Sequence, residues 1–376
     1  MKKILIIFGT RPEVIKLAPL VNELKKSKKY KIKICSTGQH DQMLNQAIDI
    51  FKLKIDFSFN LMKKNQKLAS IFSLLIHNIN KVVEKEKPDL TIVQGDTITG
   101  LAGSIVSFFN KIKIAHVEAG LRTFDLEAPW PEEANRKLIS NITNYHFAPT
   151  KKAKMNLIKE GVDKKKIFVT GNTVVDALLD INKKLKLNKK ILKKVSEKLS
   201  FLKKNKKIIL ITLHRREIFG KKIENILQAF KSLSNKFKKA QFVYPVHLNP
   251  NIRKIVKQKL KKCPNFTLLP PIDYFELIYL MKKSYLIMSD SGGIQEEAPS
   301  FKVPILILRD ITERSEIIDT NQAILAGTNE KKIIRIFTSL MFNQKKYLGL
   351  KKNTNPFGNG MASKKIVKLL DKNFYI

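Results

Sequence analysis

With 376 residues, 43% of them hydrophobic, the chain is too long for one ordinary domain and suits two of ~150–200 residues each. Its 72 basic and 32 acidic residues leave a formal net charge of +40, yet only nine of the basic residues are arginine and the lysines are spread through helices and loops. No nucleic-acid module or interleaved aromatic pattern accompanies that charge, which argues against a specific nucleic-acid partner and leaves weak polyanion binding at low salt.

A strand is expected at Lys3–Phe8, then a helix from Pro12 to Lys25. The opening apolar run halts at Gly9-Thr10-Arg11-Pro12-Glu13, too short for a secretory signal. No stretch approaches the ~18 uncharged apolar residues of a membrane span, so a cytoplasmic protein with no membrane partner is expected. Further strands are expected at Lys31–Ser36, Leu90–Gln94, Ile112–Val117, Asn144–Ala148 and Ile167–Val169. Such short apolar runs without alternation suit parallel strands buried on both faces. A lysine-rich amphipathic stretch, Asn182–Lys207, follows Gly171-Asn172-Thr173 and separates the two halves. The rhythm then restarts with strands at Ile208–Leu213, Gln241–Pro245, Thr267–Leu269, Tyr285–Ser289 and Val303–Leu308. Cys35 and Cys263 stand far apart in strand-like contexts, as in a reducing compartment without disulfides. The expected fold class is α/β: two Rossmann-like, doubly wound parallel-sheet domains with a cleft between them. Residues 1–171 form the first and 172–358 the second. A closing helix, 359–376, is expected to pack back on the first.

Six segments carry polar chemistry. Phe8-Gly9-Thr10-Arg11-Pro12-Glu13 puts backbone N–H groups and Arg11 at a helix N-terminus, a phosphate site by geometry, with Lys16 as a second cation. It is not the G-x-G-x-x-G fingerprint, so a nicotinamide cofactor is not implied. Val93-Gln94-Gly95-Asp96-Thr97 leaves a buried strand at its C-terminal end, where ligands of open α/β sheets gather; Asp96 is equally suited to capping the next helix. His116-Val117-Glu118-Ala119-Gly120-Leu121-Arg122-Thr123 leaves another strand in the same way. In Pro129-Trp130-Pro131-Glu132-Glu133-Ala134-Asn135-Arg136, the two glutamates also favour a helix N-terminus through its dipole.

Asp96, Glu118 and Glu132 nevertheless share one sheet edge near Arg11, a candidate acid–base cluster. The histidines show no metal-ligand spacing, so no metal is expected. Thr212-Leu213-His214-Arg215-Arg216-Glu217 ends the second domain's first strand. Ser289-Asp290-Ser291-Gly292-Gly293-Ile294-Gln295-Glu296-Glu297 is strand, Ser-Gly-Gly, then helix, a diphosphate cradle with a glutamate one turn on, suited to ribose hydroxyls. Arg314 supplies a further charge. Six of the nine arginines (11, 122, 136, 215, 216 and 314) fall in these polar segments.

In this order the segments resemble the non-hydrolysing UDP-N-acetylglucosamine 2-epimerases, from Gly9 to the Asn-Pro-Phe-Gly-Asn-Gly at 355–360. Gly-Thr-Arg-Pro-Glu, His-Val-Glu-Ala-Gly-Leu-Arg-Thr, Pro-Trp-Pro-Glu-Glu-Ala-Asn-Arg and Asp-Ser-Gly-Gly-Ile-Gln-Glu-Glu-Ala-Pro-Ser match without gaps. The resemblance implies a glycosyltransferase-B type fold, a homodimer and interconversion of UDP-GlcNAc and UDP-ManNAc without metal or other cofactor. It implies elimination of UDP to 2-acetamidoglucal and re-addition, supplying ManNAc for cell-envelope polysaccharide. Asp96, Glu118 and Glu132 would be the acid–base groups, with His214 and Arg11 beside the departing diphosphate. Ser291, Gly292, Gly293, Glu297 and Arg314 would hold UDP, Lys16 and Arg136 would support, and Ile272 to Leu277 would meet uracil, mainly through backbone. A second UDP-GlcNAc, as activator, is implied at Gln39, Gln42, Gln66, Glu133, Arg215 and His247, with Asn65 where an arginine is common. The rival readings are a hydrolysing relative releasing ManNAc and UDP, a UDP-sugar glycosyltransferase of the same fold, and a polyanion-binding protein.

Overall fold

The computed structural model describes residues 1–38, 42–61, 66–215, 218–246 and 250–374, and only the backbone of Gln42, Pro250 and Asn251. The chain divides into two units, Met1–Ala177 with Phe357–Ile376, and Leu178–Pro356.

In the first unit the order is β1 (Lys2–Phe8), α1 (Arg11–Lys26), β2 (Tyr30–Ser36), α2 (Gln42–Phe51), β3 (Phe57–Ser58), α3 (Leu68–Glu86) and β4 (Leu90–Gln94). It continues with α4 (Ile98–Phe109), β5 (Lys113–Val117), α5 (Glu132–Ile142), β6 (Tyr145–Ala148), α6 (Lys151–Lys159), β7 (Ile167–Val169) and the start of α7 (Thr173–Leu187). Among the described residues the strands form one seven-stranded parallel sheet, β3-β2-β1-β4-β5-β6-β7. Ile4 to Phe8 have no exposure, and every residue of β4 is buried. That is why these runs carry no polar alternation: each large side chain removed from water contributes roughly 1.5–3 kcal/mol.

The second unit holds α8 (Lys189–Lys198), β8 (Lys207–Thr212), α9 (Lys221–Lys236), β9 (Ala240–Pro245), α10 (Pro250–Leu260), β10 (Phe266–Leu269) and α11 (Tyr274–Lys283). Then come β11 (Leu286–Ser289), α12 (Gly292–Glu297), β12 (Ile305–Ile307), α13 (Glu316–Asp319), β13 (Ala323–Leu325), α14 (Glu330–Phe342) and α15 (Gln344–Gly349). Among the described residues its strands form a six-stranded parallel sheet, β10-β9-β8-β11-β12-β13. The lysine-rich stretch expected to divide the halves folds as the end of α7 and all of α8, with α8 packed on α11.

The last helix, α16 (Ala362–Asn373), belongs to the first unit. It packs on α1, and Ile366, Val367 and Leu370 are among its buried residues. Asp176 of α7 caps it, accepting from Ala362 N (3.1 Å) and Ser363 N (2.8 Å). No helix among the described residues is long and apolar enough to cross a membrane.

Both sheets reverse their strand order at the equivalent point, between β1 and β4 and between β8 and β11. Such a reversal opens a crevice at the C-terminal ends of the strands, where ligands of doubly wound sheets bind. The polar segments leave those four strands and β5.

Candidate active site

At the first reversal the chain leaves β1 through Gly9. A Cβ there would lie 2.5 Å from Thr99 Oγ1 and 2.7 Å from Thr37 Oγ1, so no larger residue fits without displacement. Arg11, half-buried, opens α1, and Lys16 lies buried in the same helix. The Lys16 ammonium donates to Glu118 Oε2. Asn172 Nδ2 donates to the same oxygen at 2.6 Å, and Gln94 Nε2 donates to Oε1 at 3.1 Å. Glu118 is thus a buried carboxylate with charge and hydrogen bonds both supplied. Its backbone is in the left-handed region, φ 67°, an uncommon conformation for a residue with a side chain that functional sites often hold. Two residues earlier, His116 is fully buried and bonds the Gly95 carbonyl through Nε2 at 2.7 Å. Burial pushes its pKa down to about 4, so it is a neutral structural brace.

Asp96 follows β4, the strand beside β5, and is half-buried. Arg136 donates to its Oδ2 at 2.5 Å, and Asn135 Nδ2 donates to its carbonyl at 2.8 Å. The other branch of Arg136 donates to Glu133 Oε2 at 2.6 Å, while Glu133 Oε1 accepts from Phe124 N at 3.0 Å. Glu133 has no exposure, whereas Glu132, the first residue of α5, is half-buried. The two glutamates that the sequence places together therefore differ: one braces the loop ahead of α5, the other opens the helix. Arg122 is committed to structure, with Nε and Nη2 gripping Glu160 at 2.7–3.0 Å and Nη2 also donating to Ser140 Oγ.

At the second reversal Asp290, fully buried at the end of β11, reaches the turn after β8. Its Oδ2 accepts from His214 N (2.9 Å) and Arg215 N (2.8 Å), and its Oδ1 lies 3.2 Å from His214 Nδ1. Burial works to raise the Asp290 pKa, but His214 and the two backbone N–H groups outweigh it and hold the carboxylate below its ordinary value. An aspartate so placed fixes the orientation of the imidazole at the end of β8.

Ser291 is the N-cap of α12. Beyond it, a Cβ on Gly292 would lie 2.5 Å from the Arg314 guanidinium, so glycine is what lets that cation approach the helix start. Arg314 is held by Glu296 (2.6 Å) and Glu313. Glu313 also takes Arg309 (2.8 Å) and Arg215 (3.2 Å). Gly293 follows in the first turn, and Glu297, buried, accepts from Tyr274 Oη at 2.9 Å. Ile272 and Leu277, both half-buried, flank the capping box of α11 formed by Asp273 and Glu276.

Lys16 with Glu118, Asp96 with Arg136 and Glu133, and Gly292 with Arg314 are thus brought together. Gln66 lies half-buried just before α3. Gln39, Asn65 and His247 fall outside the described residues, as does the side chain of Gln42. Glu13, Asn172 and Asp290 also belong to these networks, though they are not among the expected site residues. Glu13 carried a signal, since Thr10-x-x-Glu13 is a capping box; the partners of Asn172 and Asp290 are set only by the fold. Among the described residues no three His, Cys, Asp or Glu side chains are grouped to hold a metal ion.

Two parallel sheets wound in the same order, each with polar chemistry at its reversal, define an α/β protein of glycosyltransferase-B type. The family model described as UDP-N-acetylglucosamine 2-epimerase matches residues 22–371. The UDP-N-acetylglucosamine 2-epimerase of Neisseria meningitidis is 46% identical over 99% of this chain and 100% of its own, and that of Yersinia pestis 44% over 98% of each. A crystal structure of the Neisseria meningitidis enzyme bound to UDP-GlcNAc superposes with a TM-score of 0.96, covering 99% of this chain and 100% of that one at 46% identity. The Methanocaldococcus jannaschii enzyme in complex with UDP-GlcNAc and UDP gives 0.86 at 36% identity, over 99% and 100%. The chain belongs to the UDP-N-acetylglucosamine 2-epimerase family.

Proposed function

We propose that the protein interconverts UDP-GlcNAc and UDP-ManNAc at C2 by the non-hydrolysing route, in the cytoplasm, and so supplies ManNAc for cell-envelope polysaccharide. The observation that carries this reading is the pair of carboxylates after neighbouring strands, Asp96 against Arg136 and Glu118 against Lys16. The C2 hydrogen of the sugar is not next to a carbonyl, so its direct removal is hard. If UDP leaves C1 with the electrons of the C1–O bond, a cationic centre forms and a carboxylate removes the C2 proton, giving 2-acetamidoglucal. A proton then returns to the opposite face of C2 while a UDP oxygen re-forms the bond to C1. Two faces need two differently placed acid–base groups, and Asp96, Glu118 and Glu132 fill these roles.

The second unit supplies the nucleotide contacts. Ser291, Gly292, Gly293 and Arg314 hold the diphosphate, Glu297 the ribose, and the backbone from Ile272 to Leu277 the uracil. His214, oriented by Asp290, and Arg11 stabilise the departing UDP; Lys16 and Arg136 steady the acids. A second UDP-GlcNAc acts as activator near Gln39, Gln42, Gln66, Glu133, Arg215 and His247. A homodimer through the first unit is supported by exposed apolar residues on α3, α4 and α5: Leu74, Phe108, Phe109 and Leu138.

Proton NMR of the protein with UDP-GlcNAc in deuterated water tests the proposal. UDP-ManNAc carrying deuterium at C2, absent with Asp96→Asn, is expected. Release of free ManNAc and UDP would instead make the protein a hydrolysing relative.

A further inference from the structure

One side chain ties the turn after β1 to the turn after β4. Glu13, in the first turn of α1, is 1% exposed. Its Oε2 accepts from Gly9 N at 3.1 Å, Thr10 N at 2.8 Å and Thr10 Oγ1 at 2.7 Å. Its Oε1 accepts from Thr97 Oγ1 at 2.8 Å. Thr97 in turn caps α4, its Oγ1 accepting from Gly100 N at 3.0 Å.

A capping box needs only the bonds within its own turn. The bond to Thr97 is different in kind, because it crosses to a loop 84 residues away. Its two ends adjoin the reacting groups assigned above: Thr10 precedes Arg11, and Thr97 follows Asp96. Arg136 and Asn135 hold Asp96 from the α5 side, so Glu13 is the tether towards α1. A buried carboxylate taking four donors on two oxygens has its rotamer settled, and leaving one donor unmet inside the protein is costly. The arrangement therefore transmits the position of one turn to the other.

Resting on the epimerase reading, we propose that Glu13 is a positioning residue which, through the Thr97 hydroxyl, sets Asp96 relative to the α1 N-terminus and Arg11. Proton transfer at C2 then depends on a bond that touches neither substrate nor acid. Substrate affinity, carried by other residues, depends on it little.

Three variants test this. Thr97→Val keeps the shape and removes the hydroxyl, and Thr97→Ser restores it. Thr150→Val is the control for losing a helix cap in the same unit, since Thr150 caps α6 by accepting from Ala153 N at 3.0 Å. Amide hydrogen exchange without substrate comes first: Thr97→Val is expected to speed exchange in the peptide spanning residues 8–14, and the other two variants are not. In turnover, Thr97→Val is expected to lower kcat by ~10- to 100-fold, as misplacement of a reacting group does, with KM for UDP-GlcNAc near wild type. The isotope effect with C2-deuterated UDP-GlcNAc should rise as proton transfer becomes limiting, and Thr97→Ser should reverse both changes. Unchanged exchange in residues 8–14 of Thr97→Val would overturn the tether. Faster exchange with wild-type kcat and isotope effect would overturn its role in positioning Asp96. Failure of the wild type to convert UDP-GlcNAc would sink the epimerase reading alone, because the exchange comparison still decides the tether.

Discussion

Replacing His146 by glutamine removes one of two imidazoles buried side by side in the first sheet. His116 of β5 and His146 of β6 are register partners, and neither is exposed. Burial pushes their pKa values down to about 4 and about 3, and in His146 the neighbouring His116 adds to the effect. Unfolded, each titrates near ~6.5. Below that pH the unfolded chain takes up protons that the native state refuses, so stability is lost as pH falls towards the folded-state values. Between pH 7 and pH 5 each imidazole subtracts about 2 kcal/mol by linkage. Glu13 works in the opposite sense. Burial raises its carboxyl to about 6, so its native form gains a proton first and returns about 1 kcal/mol over the same interval. Urea unfolding at pH 5, 6 and 7, followed by fluorescence of the single tryptophan, Trp130, reads the first unit, with far-UV circular dichroism reporting the whole chain. Whatever His146→Gln costs at pH 7, its stability should fall by about 2 kcal/mol less than that of the wild type on reaching pH 5. Parallel losses in the two proteins would refute the argument that His146 is held neutral by burial.

Two shorter predictions concern the second unit. Asp290→Asn removes the carboxylate charge that accepts from His214 N and Arg215 N and lies against His214 Nδ1; a hydrogen bond to a charged group contributes about 1.5–3 kcal/mol, so kcat should fall ~10- to 100-fold with the fold intact by circular dichroism. Activity equal to wild type would show that His214 needs no anionic support. Gly292→Ala pushes a methyl group into the Arg314 guanidinium, which Glu296 and Glu313 hold in place. Overpacking of this kind costs about 1–3 kcal/mol, so UDP binding measured calorimetrically should weaken ~5- to 150-fold, and unaltered affinity would separate Arg314 from the nucleotide.

The parts legible in the amino-acid order were those whose physics is local. Lys3–Phe8 and Leu90–Gln94 read as strands because both their faces are buried, and β1 and β4 form there. Short edge strands lacked that signature: Phe57–Ser58 and Ala323–Leu325 pass as loop until their neighbours pair with them. Val303–Leu308 reads as one strand, but β12 spans only Ile305–Ile307, and its start is cut back at Pro304, which has no N–H to give the ladder. In the site, glycines and charged groups within one turn of each other were readable. The partners that hold them were not, because Lys16 meets Glu118 across 102 residues, and Asp290 meets His214 across 76. A buried acid looks the same in a sequence whether it braces a loop, as Glu133 does, or steadies a histidine, as Asp290 does.

The return of the chain to its first unit bears on how the protein is made. The seven-stranded sheet has all its strands once Val169 is synthesised, but α16 comes only after the whole second unit. Until then the side of α1 on which α16 packs stands open, and Asp176 has no helix to cap. The later-made unit can therefore finish folding before the earlier one, which on a ribosome exposes a sticky surface for the time needed to translate roughly 180 residues, ~10–40 s. A nascent chain halted ahead of Phe357 would be the form most in need of a chaperone.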